Sequence, residues 1–210
     1  MEKAPLISFI TAMFTILNPI GNIAVFAGMV SDYPAADRRK VAVKCAIAVA
    51  VILVVTVWAG EFLLDLFGVK IPGLQVAGGL IIALIALSML HSRQSAIHDT
   101  AHHEEDSAPD QDIAVVPLAL PMIAGPGAMV TVIVNTHTHP GVAANLVMSV
   151  VCVVLAAALG AGFLGAGPIT RVLGDKGLDV VTKLMGLVLL AIAAGMFAAG
   201  AKGLLPGLSG

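Results

Sequence analysis

A long stretch without charge limits this chain more than any other feature of its sequence. From Ile113 to Thr170 there is no Asp, Glu, Lys or Arg, which is enough for two bilayer crossings at roughly 20 residues each. A soluble helical protein would carry charged side chains on the wet face of every helix. The composition agrees, because 59% of the residues are hydrophobic and only 11% are charged. The sequence therefore predicts an all-α integral membrane protein.

Hydropathy predicts six membrane-spanning helices. The connections between them are short except for 93–112, which is rich in acidic residues and His and which we expect to be a mobile polar loop. This loop divides the chain into a first unit of three spans, 1–92, and a second unit of three spans, 113–210. The predicted spans cover about 6–30, 41–66, 71–92, 113–135, 142–167 and 179–201.

The distribution of Lys and Arg predicts the orientation in the membrane. Cytoplasmic loops carry an excess of basic residues, and here the excess falls in the loops after spans 1, 3 and 5. We therefore expect these loops in the cytoplasm and both termini outside. The cytoplasmic group is Arg38, Arg39, Lys40, Lys44, Arg93, Arg171, Lys176 and Lys183, and the opposite group is Lys3, Lys70 and Lys202.

An internal repeat links the two halves of the chain. The segment Gly79–Met89 of span 3 matches Gly186–Met196 of span 6 at an offset of 107 residues, and the same offset carries Pro19 onto Pro126. Agreement of both matches on one offset indicates a duplicated unit. Because each unit has three spans, the second must enter the membrane from the opposite side. The sequence thus predicts two inverted three-helix repeats, an arrangement typical of secondary transporters.

Two of the predicted helices contain a helix-breaking motif near mid-membrane. Span 1 holds Asn18–Asn22 (NPIGN), and span 4 holds Ala124–Ala128 (AGPGA). Each proline lacks the N–H that would bond the carbonyl four residues earlier, and glycines weaken the helix further. In hydrocarbon such freed carbonyls need partners, so breaks persist only inside protein or beside a wet cavity. We predict that helices 1 and 4 are broken.

Each break also has the sequence of a helix start, with a cap residue before a proline. The partial positive charge of two half-helix N-termini could hold a carboxylate, and the preceding carbonyl ends could hold an ammonium group. A small zwitterion fits both. However, prolines, glycines and hydroxyl residues also serve ordinary helix packing in membranes. The candidate substrate-binding residues are Thr15, Asn18, Gly21, Asn22, Gly125, Gly127 and Thr131, with Pro19 and Pro126 as helix breakers.

At these residues the chain resembles the MarC family of membrane proteins. The matching motifs are Asn18–Ile23 (NPIGNI) and Pro117–Pro121 (PLALP), which runs into Ala124–Ala128. The resemblance covers nearly the whole chain, although Ala24 stands where the family pattern suggests proline. It implies a plasma-membrane protein and, more specifically, export or uptake of glycine- or alanine-sized neutral amino acids. For a transporter of this kind we expect H⁺ or Na⁺ as the coupling ion.

Other functions find little support in the sequence. His98, His102 and His103 could bind a metal, but so polar a loop is more often simply solvated. His137 and His139, and the carboxylates Glu61 and Asp65, are expected near an outer interface. We expect no catalytic residue, no cofactor and no nucleic-acid partner. The leading hypothesis is a secondary transporter in the lipid bilayer, and the alternative is a membrane scaffold or stress-response protein without transport.

Overall fold

The computed structural model describes residues 3–30, 33–91, 123–205 and 207. Over these ranges the chain forms helices and no strand. Gly174, with a φ of 61°, kinks the last helix. The helices are α1 (Lys3–Leu17), α2 (Pro19–Met29), α3 (Ala35–Phe67), α4 (Ile71–His91), α5 (Pro126–Thr138), α6 (Val142–Leu164) and α7 (Ala166–Leu204).

Five segments of the described chain are long and apolar enough to cross a membrane. They correspond to predicted spans 1, 2, 3, 5 and 6, so the prediction of an all-helical membrane protein is confirmed. Of predicted span 4, α5 is the second part, and 113–122 lie outside the described residues, as does the predicted polar loop 93–112. The five segments are Pro5–Met29, Ala35–Phe67, Ile71–His91, Val142–Leu164 and Lys176–Leu204.

The predicted ends of the helices differ from the observed ones most at α3. Hydropathy places the start of span 2 near Val41, whereas the helix begins at Ala35. The extra turns carry Asp37 and three consecutive basic residues, Arg38 to Lys40. Hydropathy detects only the part of a helix that matches hydrocarbon, and polar turns that continue beyond it are missed. The N-terminal turns of α3 therefore extend past the apolar part of the span.

The most extensive helix pair is α4 with α7, and it depends on glycine. A Cβ atom added to Gly79 would lie 2.9 Å from the carbonyl oxygen of Ala193, and one added to Gly186 would lie 3.1 Å from that of Ala86. A Cβ at Gly200 would lie 2.6 Å from the carbonyl oxygen of Pro72. Residue numbers fall along α7 as they rise along α4, so the two helices are antiparallel. Small residues let their backbones touch, which is a main source of helix affinity in membranes.

The contacts between α4 and α7 repeat the offset found in the sequence. A buried cluster between them consists of Ile82, Ala86, Leu189 and Ala193, none more than 2% exposed. Leu189 and Ala193 lie 107 positions after Ile82 and Ala86. The contact of Gly79 with Ala193 and that of Gly186 with Ala86 are also equivalent. Gly186 lies 107 positions after Gly79, and Ala193 lies 107 positions after Ala86. Equivalent residues of the two halves therefore meet on a common interface.

The second large pair is α3 with α6, and these helices are also antiparallel. Near one end Trp58 Nε1 donates a hydrogen bond to Ser149 Oγ at 3.1 Å. Near the other end a Cβ at Gly160 would lie 2.7 Å from Cβ of Ala46. The two cysteines of the chain, Cys45 and Cys152, are also 107 positions apart, and both are fully buried. The same offset therefore relates buried residues of this second pair.

The short helix α2 is anchored to α6. The rings of Phe26 and Phe163 stack with centroids 4.4 Å apart and an angle of 7° between their planes. One turn earlier, Ile23 packs on Gly162, where an added Cβ would lie 2.8 Å from Ile23 Cδ1. Stacked aromatic rings contribute about 0.5–1.5 kcal/mol beyond the area that they bury. These contacts hold α2 in place on α6 after the chain changes direction at the end of α1.

The close approach at Gly79 gives a first prediction. We expect Gly79→Ala to lower the thermal unfolding midpoint of the detergent-purified protein, because the added carbon meets backbone atoms of α7 that cannot move aside. Overpacking of this kind costs about 1–3 kcal/mol. Gly195→Ala on α7 is the matched control, since nothing lies within 4 Å of a Cβ there. It should be neutral or stabilising, because alanine favours helix more than glycine does. Equal midpoints for the two variants would contradict the described interface.

Candidate functional site

The first break lies at Asn18. α1 ends at Leu17 and α2 begins at Pro19, and Asn18 between them has φ 39° and ψ 62°, a left-handed conformation. Asn18 is the one non-glycine residue with positive φ in the part of the chain that the structure describes. Asparagine adopts this conformation more readily than most residues because its short amide can bond the local backbone. The sequence thus places a tolerant residue where the chain changes direction.

Two asparagine side chains replace the main-chain bond that the break removes. In a continuous helix the N–H of Gly21 would donate to the carbonyl of Leu17. Instead Gly21 N donates to Asn18 Oδ1 at 3.3 Å, and Asn22 Nδ2 donates to the Leu17 carbonyl at 2.8 Å. Asn18 therefore caps the start of α2, and Asn22 caps the end of α1. Both caps lie inside the protein, where an unpaired polar group is costly.

The carbonyl of Thr15, which Pro19 leaves without its usual partner, also finds a local donor. Asn18 N donates to the Thr15 carbonyl at 3.2 Å and to the Phe14 carbonyl at 3.1 Å. The Thr15 hydroxyl is buried and donates to the carbonyl of Thr11 at 2.8 Å. The sequence led us to expect these polar groups to face a solute. In this conformation they instead bond the interrupted backbone, because those partners are nearest along the chain.

The second break differs from the first in its cap. α5 begins at Pro126, and Gly125 before it is extended, with φ −68° and ψ −178°. The N–H groups of Ala128 and Met129 both donate to the Gly125 carbonyl, at 3.0 and 3.1 Å. Glycine offers no side chain, so no side-chain group caps this helix start. Met122, whose carbonyl was expected to be freed by Pro126, lies outside the described residues.

Hydroxyl and amide groups along α5 bond their own helix. Thr131 Oγ1 donates to the Gly127 carbonyl at 2.9 Å, and Asn135 Nδ2 donates to the Thr131 carbonyl at 2.8 Å. Thr131 is only 1% exposed. Threonine can satisfy its hydroxyl in this way without a solute. The polar side chains of Thr131 and Asn135 are therefore bonded within α5.

Both helix starts contact α4. A Cβ at Gly127 would lie 2.8 Å from Ile82 Cγ1, while Asn18 Nδ2 lies 4.0 Å from the sulfur of Met89. Ile82 and Met89 are two helical turns apart, about 10 Å along α4. Leu17, at the first break, and Ala124, at the second, belong to one buried hydrophobic cluster. Each break therefore has a buried side, although Asn18 is only partly buried and Pro126 is exposed.

The electrostatic environment of the breaks comes from backbone rather than from charged side chains. Among the residues whose burial is described, every buried polar side chain is uncharged, and three of these five residues were predicted as site residues from the sequence. The N-termini of α2 and α5 supply partial positive charge, and the C-terminus of α1 supplies partial negative charge. The buried polar residues are Thr15, Asn22, Thr56, Thr131 and Thr136.

The sequence did not identify the contribution of α4 to this region. Ile82 and Met89 both fall within the repeat segment Gly79–Met89, which was read only as evidence for duplication. Their spacing of seven residues places them on one face of α4, and that spacing was the available signal. The contact with each break could not be inferred, because it depends on how α4 packs against α1 and α5.

A cross-helix contact joins two residues that the sequence placed separately near an interface. His137 Nδ1 lies 2.7 Å from Glu61 Oε1, with both side chains about half exposed. The contact ties the end of α3 to the end of α5. One turn deeper, Gly60 packs on Ile133, where a Cβ would lie 2.5 Å from Ile133 Cγ1. The pair therefore holds α5 in place at the end away from its break.

No metal site is formed by the residues that the structure covers, since no three His, Cys, Asp or Glu residues come together there. His98, His102 and His103, which were considered as ligands in the sequence, lie outside those residues.

The asparagine caps give a second prediction. We expect Asn22→Ala to lower the free energy of unfolding by about 1–2 kcal/mol, because it leaves the interior Leu17 carbonyl without its donor. Thr138→Ala serves as a control, since it removes an exposed hydroxyl bonded to its own helix. Chemical unfolding in detergent measures the difference. If the two variants were equally stable, Asn22 could not be an essential cap.

Comparison with known proteins gives a consistent result over nearly the whole chain. Residues 4–205 match the model of the MarC family integral membrane proteins. Membrane protein YhcE of Escherichia coli K12 is 36% identical over 202 residues, which is 95% of this chain and 93% of that protein. Membrane protein YvbG of Bacillus subtilis is 36% identical over 203 residues, 94% of each chain. Inner membrane protein MarC of Escherichia coli UTI89 is 31% identical over 193 residues, 87% of each chain. No solved structure matches.

Proposed function

The chain belongs to the MarC family of integral membrane proteins, and on that premise we propose that it is a secondary transporter of small neutral amino acids that works by alternating access. The observation that carries the proposal is the position of the two helix starts. α2 and α5 both begin at a proline, and beside those prolines Asn22, Gly125 and Gly127 are buried. Helix starts with buried, uncharged surroundings attract a small anionic group.

The bonds at the first break suggest how a zwitterion binds. The N–H of Gly21 now donates to Asn18 Oδ1, and the carbonyl of Leu17 now accepts from Asn22 Nδ2. A solute carboxylate can replace the first acceptor, and its ammonium group can replace the second donor. Binding then exchanges side-chain bonds for solute bonds without leaving either backbone group unpaired. The amides of Asn18 and Asn22, released from these bonds, then orient the polar groups of the solute.

The packing around the breaks favours a very small solute. Gly127 leaves no room for a side chain beside Ile82, where a Cβ would come within 2.8 Å. Ala124 and Ala128 at the same break are at most 1% exposed. A solute of glycine or alanine size requires the least displacement of these groups, since close-packed interiors resist added volume. Larger side chains would have to open the contact between α5 and α4.

Alternating access follows from a proposed architecture of six spans in two inverted repeats. In support of it, α4 and α7 are antiparallel, and residues that lie 107 positions apart in the sequence make equivalent contacts between them. The missing half of span 4 would be supplied by 113–122. Rocking of one repeat against the other would open the central site to each side in turn. H⁺ or Na⁺ is the proposed coupling ion.

We place the protein in the inner, or plasma, membrane. In support, one relative is named an inner membrane protein. The excess of Lys and Arg in the odd-numbered loops favours a cytoplasmic position for those loops and an external position for both termini. The proposal includes no enzymatic step.

A ligand screen gives the third prediction. In detergent, glycine or alanine should raise the thermal unfolding midpoint of the purified protein, because a ligand that binds only the folded state stabilises it by mass action. Leucine and glutamate should leave the midpoint unchanged, since the first is too large and the second carries an extra charge into an uncharged interior. An unchanged midpoint with every standard amino acid would contradict the proposal.

Transport itself gives the fourth prediction. In proteoliposomes, Gly127→Leu should reduce uptake of the stabilising amino acid at least ten-fold, because the added side chain meets Ile82 and displaces the start of α5 from α4. Gly195→Leu is the control, since a Cβ there meets nothing within 4 Å. Asn18→Ala should also abolish uptake while retaining the circular dichroism of the parent. Wild-type rates in both site variants would exclude this site.

The alternative is a membrane scaffold or stress-response protein that carries no solute. One observation favours it: the Gly21 N–H and the Leu17 carbonyl at the first break already have side-chain partners in Asn18 and Asn22 and need no ligand. On that reading the breaks only shape helix packing, as small and polar residues often do. The ligand screen separates the two, because a scaffold would not be stabilised by any amino acid.

A further inference from the structure

The first turns of α3 concentrate the basic residues of the chain. Of 11 Lys and Arg residues in the sequence, four fall between Asp37 and Lys44. Asp37, whose Oδ1 lies 2.9 Å from Lys40 Nζ, is the one acidic residue among these eight positions, so the segment 37–44 has a positive formal charge. These turns lie beyond the apolar part of the helix, at the depth where a membrane-spanning helix meets lipid headgroups. The segment therefore presents positive charge to the membrane interface.

An open groove lies on this segment. It has a volume of about 320 Å³ and is lined by Ala36, Arg39, Lys40, Val43 and Lys44. We call it the α3 groove. Its floor is mostly carbon, as expected where the long stems of basic residues lie beside small apolar side chains. A free inorganic anion would gain little from such a floor, whereas an amphiphile would cover it.

C-terminal to the groove, α3 presents a row of exposed apolar side chains. Ile47, Val51 and Val55 are 58%, 54% and 55% exposed, and each is one turn further along the helix than the last. Val43, which lines the groove, is the first residue of the same row. Large aliphatic side chains exposed on a membrane-spanning helix contact lipid chains. A basic groove thus runs directly into a surface suited to an acyl chain.

We propose that the α3 groove is a binding site for an anionic phospholipid. The phosphate lies between the tips of Arg39 and Lys44, the glycerol backbone covers the carbon floor, and one acyl chain follows Ile47 and Val51. Clusters of four or more basic residues beside a membrane span attract anionic lipids. The shared path of charge and apolar surface favours a lipid over free phosphate, and the site is independent of the proposed transport function.

The test uses the full chain purified in detergent and titrated with phosphatidylglycerol, followed by native mass spectrometry. The triple variant Arg39→Gln, Lys40→Gln, Lys44→Gln should weaken the apparent lipid affinity on the order of a hundred-fold, since each basic residue near an anionic surface contributes about a factor of five. The matched control removes three exposed charges elsewhere, through Arg171→Gln, Lys176→Gln and Lys202→Gln. It should change the affinity by less than about three-fold.

Further measurements distinguish binding of an anionic lipid from binding of a neutral lipid or of free phosphate. Phosphatidylcholine should bind the wild type at least ten-fold more weakly than phosphatidylglycerol, and inorganic phosphate should not compete at millimolar concentration. Ile47→Asn should weaken phosphatidylglycerol binding several-fold while keeping every charge of the groove. Each variant is checked by circular dichroism and by its thermal unfolding midpoint without added lipid. Equal loss of affinity in the two triple variants, or competition by phosphate, would overturn the proposal.

Discussion

The absence of water from a bilayer core dictates most of this structure. Every backbone N–H and C=O that enters hydrocarbon must be bonded within the protein, so the described chain is helical and the interruptions need special repair. At Asn18 the repair comes from two side chains, because Asn18 caps the start of α2 and Asn22 caps the end of α1. The same bonds that make the break tolerable also define a pair of backbone groups able to exchange partners. Stability and the proposed binding site therefore depend on the same atoms.

Close packing of small residues is the second principle of the fold. Lipid chains are as apolar as the helices, so helices associate through contact rather than through exclusion of water. Gly79 and Gly186 bring α4 and α7 into backbone contact, and Gly160 does the same for α6 against α3. The two long pairs form a frame, and the short helices α2 and α5 pack on it. The breaks thus lie where these short helices begin.

Much of this could be predicted from the sequence, and the limits have physical causes. Hydropathy and the proline motifs predict helices, membrane spans and the residues at which α2 and α5 begin, because these depend on local chemistry. The bonds of Asn22 to Leu17 and the contact of Met89 with Asn18 could not be predicted. They depend on rotamers and on how α4 lies beside α1. The start of α3 at Ala35 was missed because its polar turns lie outside hydrocarbon.

The unequal caps of the two breaks have an energetic consequence. Position 18 is asparagine, and its equivalent 107 residues later is Gly125, so only the first helix start carries its own side-chain acceptor. In the proposed inverted repeat, two units that differ in this way would not have equal energies when they exchange conformations. The resting population would then be biased toward one face of the membrane, and the side chain at position 18 would set the direction of that bias.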